Sequence, residues 1–82
     1  MTPDLIYLAS PYSHPDPAVR QVRFQVACEV TAHLMRQGMH VFSPIVHSHS
    51  LADYLPAGWD FWQPIDMHFL SLCQRFVVLM LP

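Results

Sequence analysis

The hydrophobic positions of this chain fall into three short runs separated by two stretches with helical spacing. The runs are Leu5–Ala9, His40–Ser43 and Arg75–Leu81, and each has the length of a buried strand rather than of a helix. The third run is apolar almost throughout, which is typical of a strand covered on both faces. The pattern therefore predicts three strands.

The first helical stretch has the clearest boundaries. Asp16 followed by Pro17 is a helix-start signal, because a carboxylate accepts hydrogen bonds from the free N–H groups of a first turn and proline fits the first helical position. Gly38 suits the left-handed residue just past a helix end. Between these signals an apolar face recurs at steps of three and four residues, through Val19, Val22, Val26, Val30 and Leu34.

The second helical stretch is less regular. We expect Pro44 to stop the second strand, and residues 45–62 to form an irregular segment with one or two helical turns at Leu51–Leu55. Gln63 and Pro64 then indicate the start of a second helix, which leads into the third strand.

The resulting order β-α-β-α-β is that of an α/β protein with a parallel sheet between two layers of helices. We expect a partial three-layer sheet of the Rossmann-like or flavodoxin-like kind, with strand order 2-1-3, in a single domain over residues 1–82. In such sheets ligands bind beyond the carboxyl ends of the strands, where the strand order reverses. The turn after the first strand would then line the ligand site.

Composition narrows the classes of function. Of the 82 residues, 52% are hydrophobic and 12% are charged, which is more apolar than a free-standing domain of this size requires. The formal net charge is −2, with four arginines and no lysine, so we expect no nucleic-acid polymer as a partner. No apolar run approaches the roughly 20 residues of a membrane span. Cys28 and Cys73 are isolated, as in a cytoplasmic protein with reduced thiols.

The turn after the first strand carries more polar chemistry than a connector requires. Ser10, Tyr12, Ser13 and His14 stand there beside the N-terminus of the first helix, whose unpaired N–H groups favour anions. These groups suit a phosphate or a sugar hydroxyl, although serine and proline are also ordinary turn residues. No glycine-rich phosphate loop or dinucleotide motif is present, so we expect no ATP or NAD cofactor.

Asp66 and a group of aromatic residues form a second candidate set. In a helix that starts at Pro64, Asp66 lies in the first turn, near the same sheet edge, where partial burial adjusts a carboxyl pKa. The alternative is an acid that only complements the helix dipole. Trp59, Phe61 and Trp62 either stack on a nucleobase or pack in a lid or core.

The sequence "HSHS" raises a metal hypothesis. On an extended segment His47 and His49 point the same way, and His14 or His68 would complete a three-histidine zinc site. The alternative is hydrogen-bonded or solvated loop histidines, which the lack of a cysteine or acid at ligand spacing favours. We therefore assign no metal.

Three segments, "IYLASPYSH", "GMHVFSPIVHSHSL" and "FWQPIDMHFLSLCQRFVVLMLP", resemble the bacterial family of small proteins called DUF1937, which is grouped with the nucleoside 2-deoxyribosyltransferase-like superfamily. The resemblance covers essentially the whole chain and implies a flavodoxin-like fold with a site for a nucleoside or nucleotide. In that superfamily a glutamate attacks the anomeric carbon of the sugar while an aspartate assists departure of the base, in the manner of a retaining glycosidase.

The resemblance implies roles for the matching residues. Asp66 matches the aspartate that orients or protonates the base. Substrate contacts are implied for the residues that match the opening motif and the second loop, and the turn and the aromatic set add Tyr12 and Trp62. The predicted substrate-binding residues are thus Tyr7, Ser10, Tyr12, Ser13, His14, Ser48, His49 and Trp62.

The nucleophilic glutamate of the superfamily has no match here. It lies in a Gly- and Ser-containing turn after the third strand, whereas this sequence reaches Pro82 before such a turn, and its only glutamate, Glu29, falls in the first helix. We therefore expect the nucleoside- or nucleotide-binding part of an N-glycosidic-bond-cleaving hydrolase or transferase, inactive by itself. The alternatives are a non-catalytic nucleotide-binding or scaffold module and the histidine metal protein. An exposed apolar third strand also predicts a homo-oligomer.

Overall fold

A computed structural model of the chain describes residues 2–55 and 58–81. Its helices and strands are, in chain order, β1 (Leu5–Ala9), α1 (Pro17–Arg36), β2 (His40–Phe42), α2 (Pro44–Ser48), a 3₁₀ helix (His49–Asp53), α3 (Trp59–Ser71) and β3 (Arg75–Val78). The strands form a parallel sheet in the order β2-β1-β3. This confirms the predicted α/β class and the strand order 2-1-3. Of the predicted domain 1–82, Met1, Pro56, Ala57 and Pro82 lie outside the described residues.

One face of the sheet carries the buried core. Ile6 and Leu8 of β1 point to this face because side chains alternate along a strand, and Val41 of β2 joins them. Val30 and Leu34 of α1 pack against this cluster. The C-terminal half of the predicted apolar face of α1 therefore packs against this face of the sheet.

Aromatic side chains occupy the opposite face. Tyr7 of β1 lies between its register partners Phe42 of β2 and Phe76 of β3, with ring centroids 5.7 and 5.8 Å away. Phe69 of α3 stacks on Phe42 with 4.1 Å between the ring centroids and 5° between the ring planes. Because α3 covers this face and α1 the other, the sheet lies between two helical layers as predicted.

The first helix begins and ends where the sequence predicts. The Asp16 side chain accepts a hydrogen bond from the Ala18 backbone N–H at 2.9 Å, and Gly38 just past the helix has a φ of +90°, which suits glycine. The N-terminal half of the apolar stripe differs from the prediction. Val22 is 56% exposed there and lines an apolar groove together with Val26 and Leu81.

The segment after β2 is helical, and the prediction of an irregular segment is wrong. The Ser43 hydroxyl accepts a hydrogen bond from the Val46 backbone N–H at 3.3 Å, and Pro44 takes the first helical position. Ser43–Pro44 thus repeats the helix-start chemistry of Asp16–Pro17. The turns predicted at Leu51–Leu55 fall largely within the 3₁₀ helix that follows α2.

The second long helix begins at Trp59, and the predicted start at Pro64 is wrong. Gly58 is the residue before its first turn, Asp60 is the acid of that turn, and Pro64 lies inside the helix. Proline has no N–H to donate to the carbonyl four residues earlier, so α3 lacks one hydrogen bond there. Asp66 consequently lies well beyond the first turn, where it does not complement the helix dipole.

The third strand is shorter than predicted. β3 pairs with β1 over Arg75–Val78, and the Leu79 backbone N–H donates the last bond of the ladder to the Ala9 carbonyl at 2.8 Å. Met80 and Leu81 lie past this ladder. In residues 2–55 and 58–81 no helix combines the length and the apolarity that crossing a membrane requires.

Candidate functional site

A cavity of about 420 Å³ lies beyond the carboxyl end of β1, a volume typical of small-molecule sites. Its walls come from β1 and the following turn, from α2 and the 3₁₀ helix, and from α3. Eight of the nine predicted catalytic and substrate-binding residues line it, and they are Tyr7, Ser10, Tyr12, Ser13, Ser48, His49, Trp62 and Asp66. The fold therefore brings Asp66 and the opening turn to one cavity.

His14 is not among the residues that line this cavity. Its Nδ1 atom accepts a hydrogen bond from the Asp16 backbone N–H at 3.0 Å, and its carbonyl accepts one from the Arg20 guanidinium. Arg23 donates to the Ser13 carbonyl at 2.9 Å. These bonds hold the turn against α1, so a ligand contact of His14 stays a prediction.

Asp66 is the acidic group of the cavity. It shares a face of α3 with Trp62 and Phe69, four residues before it and three after it. Burial raises the pKa of this carboxyl above its ordinary value of 3.8, and the nearby His47 lowers it by a smaller amount. The Asp66 Oδ1 atom is buried without a hydrogen-bond partner among the described residues. A carboxyl group in this state retains a proton more readily and can donate it to a ligand.

Two further polar groups lie beside Asp66 in the cavity. The Ser10 Oγ atom is buried and, like Asp66 Oδ1, has no hydrogen-bond partner among the described residues. Buried polar atoms are nearly always paired, so two unpaired ones lining one cavity indicate groups available to a ligand. Burial raises the pKa of the Tyr7 phenol, and the charges of Asp66 and Cys73 raise it further, so this phenol keeps its proton.

His49 connects three parts of the site. Its Nδ1 atom lies 2.7 Å from the Tyr12 hydroxyl oxygen, and its Nε2 atom lies 3.0 Å from Gln21 Oε1 on α1. The imidazole also stacks on Phe24, with 4.1 Å between ring centroids and 17° between ring planes. Both ring nitrogens are therefore occupied, and the 3₁₀ helix is joined to α1 and to the opening turn.

His47 has a separate environment. Its ring contacts Phe42, Trp62 and Phe69, with centroid distances of 5.6, 6.5 and 5.6 Å. The expectation that His47 and His49 point the same way is wrong, because they lie on helical turns and not on an extended segment. Among the described residues no group of three or more His, Cys, Asp or Glu side chains is placed to hold a metal ion.

The sequence analysis missed the residues that position the predicted ones. Gln21 and Phe24 are three residues apart on α1 and together hold His49. The capping pair Ser43–Pro44 would have placed Ser48 and His49 on helical turns. Further lining residues outside the predicted set are Ala9, Pro44, Ile45, Ala52, Gly58 and Trp59.

The fold and the site together define a class of protein, namely an α/β domain with a cavity, lined by apolar side chains and a few polar groups, at the carboxyl edge of a three-stranded parallel sheet. A protein-family model described as "Domain of unknown function (DUF1937)" matches residues 4–82, and the chain belongs to this family. No curated protein matches the chain. The resemblance seen in the opening turn and in the segment around Asp66 is thus confirmed at the level of the family.

Proposed function

We propose that the cavity binds a nucleoside or nucleotide and that the chain is the substrate-binding part of an enzyme that cleaves an N-glycosidic bond, of the deoxyribosyltransferase or nucleoside 5′-monophosphate N-glycosidase type. The observation that carries the proposal is the shared cavity, which joins the hydroxyls of the opening turn to Asp66 and Trp62. The resemblance of the same residues to the nucleoside 2-deoxyribosyltransferase-like superfamily supports it.

The chemistry of the cavity walls divides into two parts that match a sugar and a base. Ser10, Ser13 and Tyr12 offer hydroxyls for the sugar, while the indole of Trp62 offers a flat apolar surface for a base. Asp66, whose pKa is raised by burial, supplies a proton to a ring nitrogen of the departing base. This proton transfer makes the base a better leaving group.

The charges at the site favour a nucleoside over a nucleoside monophosphate. No arginine or lysine is among the described residues that line the cavity. The helix N-terminus beside it already carries the Asp16 carboxylate, which accepts the Ala18 N–H bond. A 5′-phosphate would therefore meet the Asp66 carboxyl group without a neutralising cation among the lining residues.

A non-catalytic binding module is the second candidate, and one observation favours it. Glu29, the only glutamate of the sequence, is exposed on α1 and does not line the cavity. No glutamate of this chain is therefore available to attack the sugar. We expect the 82-residue chain to bind nucleosides without releasing free base.

The test combines binding with product analysis. Thermal shift and titration calorimetry with nucleosides and their 5′-monophosphates should show a raised melting temperature, larger for the nucleosides. Ser10→Ala should weaken binding by about fivefold to tenfold through loss of one hydrogen bond, while Ser50→Ala, at an exposed position outside the cavity, should not. Chromatography should detect no free base. If neither nucleosides nor their monophosphates bind, the proposal is wrong. Release of free base by this chain would contradict the claim that it has no glutamate available to attack the sugar.

We also propose that the protein is a homo-oligomer that acts in the cytoplasm. β3 pairs only with β1 within the described sheet, so one of its edges offers free backbone groups. The exposed fractions of Phe76 and Val78 are 58% and 52%. Cys28 and Cys73 are free thiols, which accords with a reducing compartment.

A further inference from the structure

The proposed function uses the Tyr12 hydroxyl as a sugar contact and gives no role to the two residues hydrogen-bonded behind it, His49 and Gln21. The three residues come from the opening turn, the 3₁₀ helix and α1, so they are far apart in sequence and meet only in the fold. The Tyr12 hydroxyl and His49 Nδ1 are 2.7 Å apart, and His49 Nε2 and Gln21 Oε1 are 3.0 Å apart. We call these three residues the relay.

Packing holds the imidazole of the relay in one orientation. Phe24 stacks on one face of the ring at 4.1 Å between centroids, and the Tyr12 ring meets it edge-on at 82°. A half-turn of the imidazole would keep the ring in this plane but would move both nitrogens away from their hydrogen-bond partners. The partners of the two ring nitrogens therefore decide which nitrogen carries the proton.

The direction of the two hydrogen bonds follows from Gln21. Its Oε1 atom is an acceptor only, so His49 Nε2 must carry the proton and donate it. In a neutral imidazole Nδ1 then has a lone pair, and the Tyr12 hydroxyl must donate to it. The hydroxyl proton of Tyr12 is thus directed at His49, while its oxygen retains lone pairs.

We infer that the relay makes the Tyr12 oxygen a fixed hydrogen-bond acceptor in the cavity, and that it selects ligands with a hydroxyl or amino donor at that point. Taking a nucleoside as the ligand rests on the proposed function, and the donor is then a sugar hydroxyl or an exocyclic amine of the base. A phosphate or carboxylate oxygen has no proton for this position and is disfavoured there.

The relay positions Tyr12 and does not form a proton-transfer triad. In such a triad the third group is a carboxylate that stabilises the imidazolium. Gln21 is neutral, so it orients His49 without favouring a charged ring. Tyr12 is accordingly a specificity-determining residue, and Gln21 and His49 are positioning residues.

Which ring nitrogen of His49 carries the proton, and hence the direction of both hydrogen bonds of the relay, can be measured without a ligand. Long-range ¹H–¹⁵N spectra of the imidazole distinguish a ring protonated at Nε2 from one protonated at Nδ1. We expect the Nε2–H form of His49 in the wild type. Gln21→Met has similar size but no acceptor and should show a mixture of forms. A ring protonated at Nδ1 in the wild type would overturn the inference.

The selectivity is tested by combining Tyr12→Phe with a series of nucleosides that lack one hydroxyl or amino group each. Tyr12→Phe should weaken binding of the parent nucleoside by about fivefold to tenfold, and should leave unchanged the binding of the one analogue that lacks the matching donor. Equal weakening for every analogue would overturn the selective role of Tyr12. If no nucleoside binds the wild type, the proposed function is wrong. The imidazole spectra test the direction of the hydrogen bonds in the relay independently of that result.

Discussion

Asp66 differs from the other acids of the chain in its surroundings rather than in its chemistry. Its carboxyl lies at the inner wall of the cavity, with Oδ1 buried, on the helix face that Trp62 and Phe69 share. The cost of burying a charge outweighs the attraction of His47, so the pKa is raised. This partly buried carboxyl group thereby makes the stability of the fold depend on pH.

The pH dependence has a definite sign. Because the pKa of Asp66 is raised, the folded state holds the proton more tightly than the unfolded state. The resulting stabilisation is complete below the ordinary value of 3.8 and is lost as the pH rises through the raised pKa. Asp66→Asn cannot ionise, so we expect the free energy of unfolding of the wild type, relative to this variant, to fall as the pH rises from about 4.

Urea unfolding of both proteins over a series of pH values measures this difference. Asp4→Asn, at an exposed position before β1, controls for the loss of one negative charge. A relative stability that rises with pH would mean that Asp66 is stabilised as a carboxylate, and the role of Asp66 as a proton donor would then fail.

At the scale of single elements, prolines decide where helices begin, yet their positions differ in effect. Pro17 and Pro44 follow a capping side chain and occupy the first helical position, where the missing N–H has no partner in any case. Pro64 lies inside α3 and removes one backbone bond. On either side of the missing bond, Trp62 contacts the ring of His47, and Phe69 contacts the rings of Phe42 and His47. These contacts hold both parts of α3 against the sheet and α2.

Replacing Pro64 therefore tests the strain in α3. An interior proline costs a helix about 3 kcal/mol, and its removal gives the unfolded chain about 0.4–1 kcal/mol of extra freedom. We expect Pro64→Ala to raise the free energy of unfolding by about 2–2.6 kcal/mol, which is the difference between these opposing effects. Pro17→Ala is the matched control, and it should not stabilise the protein because it restores no helical bond.

Denaturant unfolding of the two variants gives the comparison directly. A loss of stability in Pro64→Ala would show that the helix interior gains nothing from the added N–H. In that case the proline would be favoured by its effect on the unfolded chain alone.

The molecule as a whole leaves much apolar surface uncovered. Phe76, Val78 and Met80 are exposed along and just past the edge strand β3, and Met80 reaches 84% exposure. A separate apolar groove is lined by the N-terminal half of α1 and by Leu81. Exposed apolar surface on a small domain promotes association, and the edge strand adds unpaired backbone groups that a second copy can match.

A pair of lysine substitutions distinguishes the two surfaces. In chromatography with light-scattering detection, we expect the wild type to have at least twice the 9.5 kDa mass of one chain. Val78→Lys places a charge on the edge strand and should shift the protein toward the monomer, because a charge on an edge opposes strand pairing. Val22→Lys, in the groove of α1, should leave the mass unchanged.

If Val22→Lys gave a monomer and Val78→Lys did not, the contact between copies would lie at the groove of α1 and not at the edge strand. A monomeric wild type at all concentrations would contradict the proposed homo-oligomer. Neither result bears on the cavity, since Val22 and Val78 do not line it.

Local chemistry made several features of the fold predictable. The boundaries of α1 follow from Asp16, Pro17 and Gly38, each of which acts through its own backbone or its nearest neighbours. The start of α3 was not predictable in this way. The Gln63–Pro64 pair has the local signature of a helix start, yet the helix begins five residues earlier, at Trp59, and Trp62 contacts His47 of α2.

The sequence by itself determined the α/β class, the three strands and the site of the chemically rich turn, because apolar runs and capping residues act over short distances. Only the tertiary structure decided that Ser10 and Asp66 share a cavity and that His49 joins Tyr12 to Gln21. These relations depend on burial and on contacts between residues far apart in the chain. The hydrophobic pattern of one segment does not show which distant residue will pack against it and exclude water.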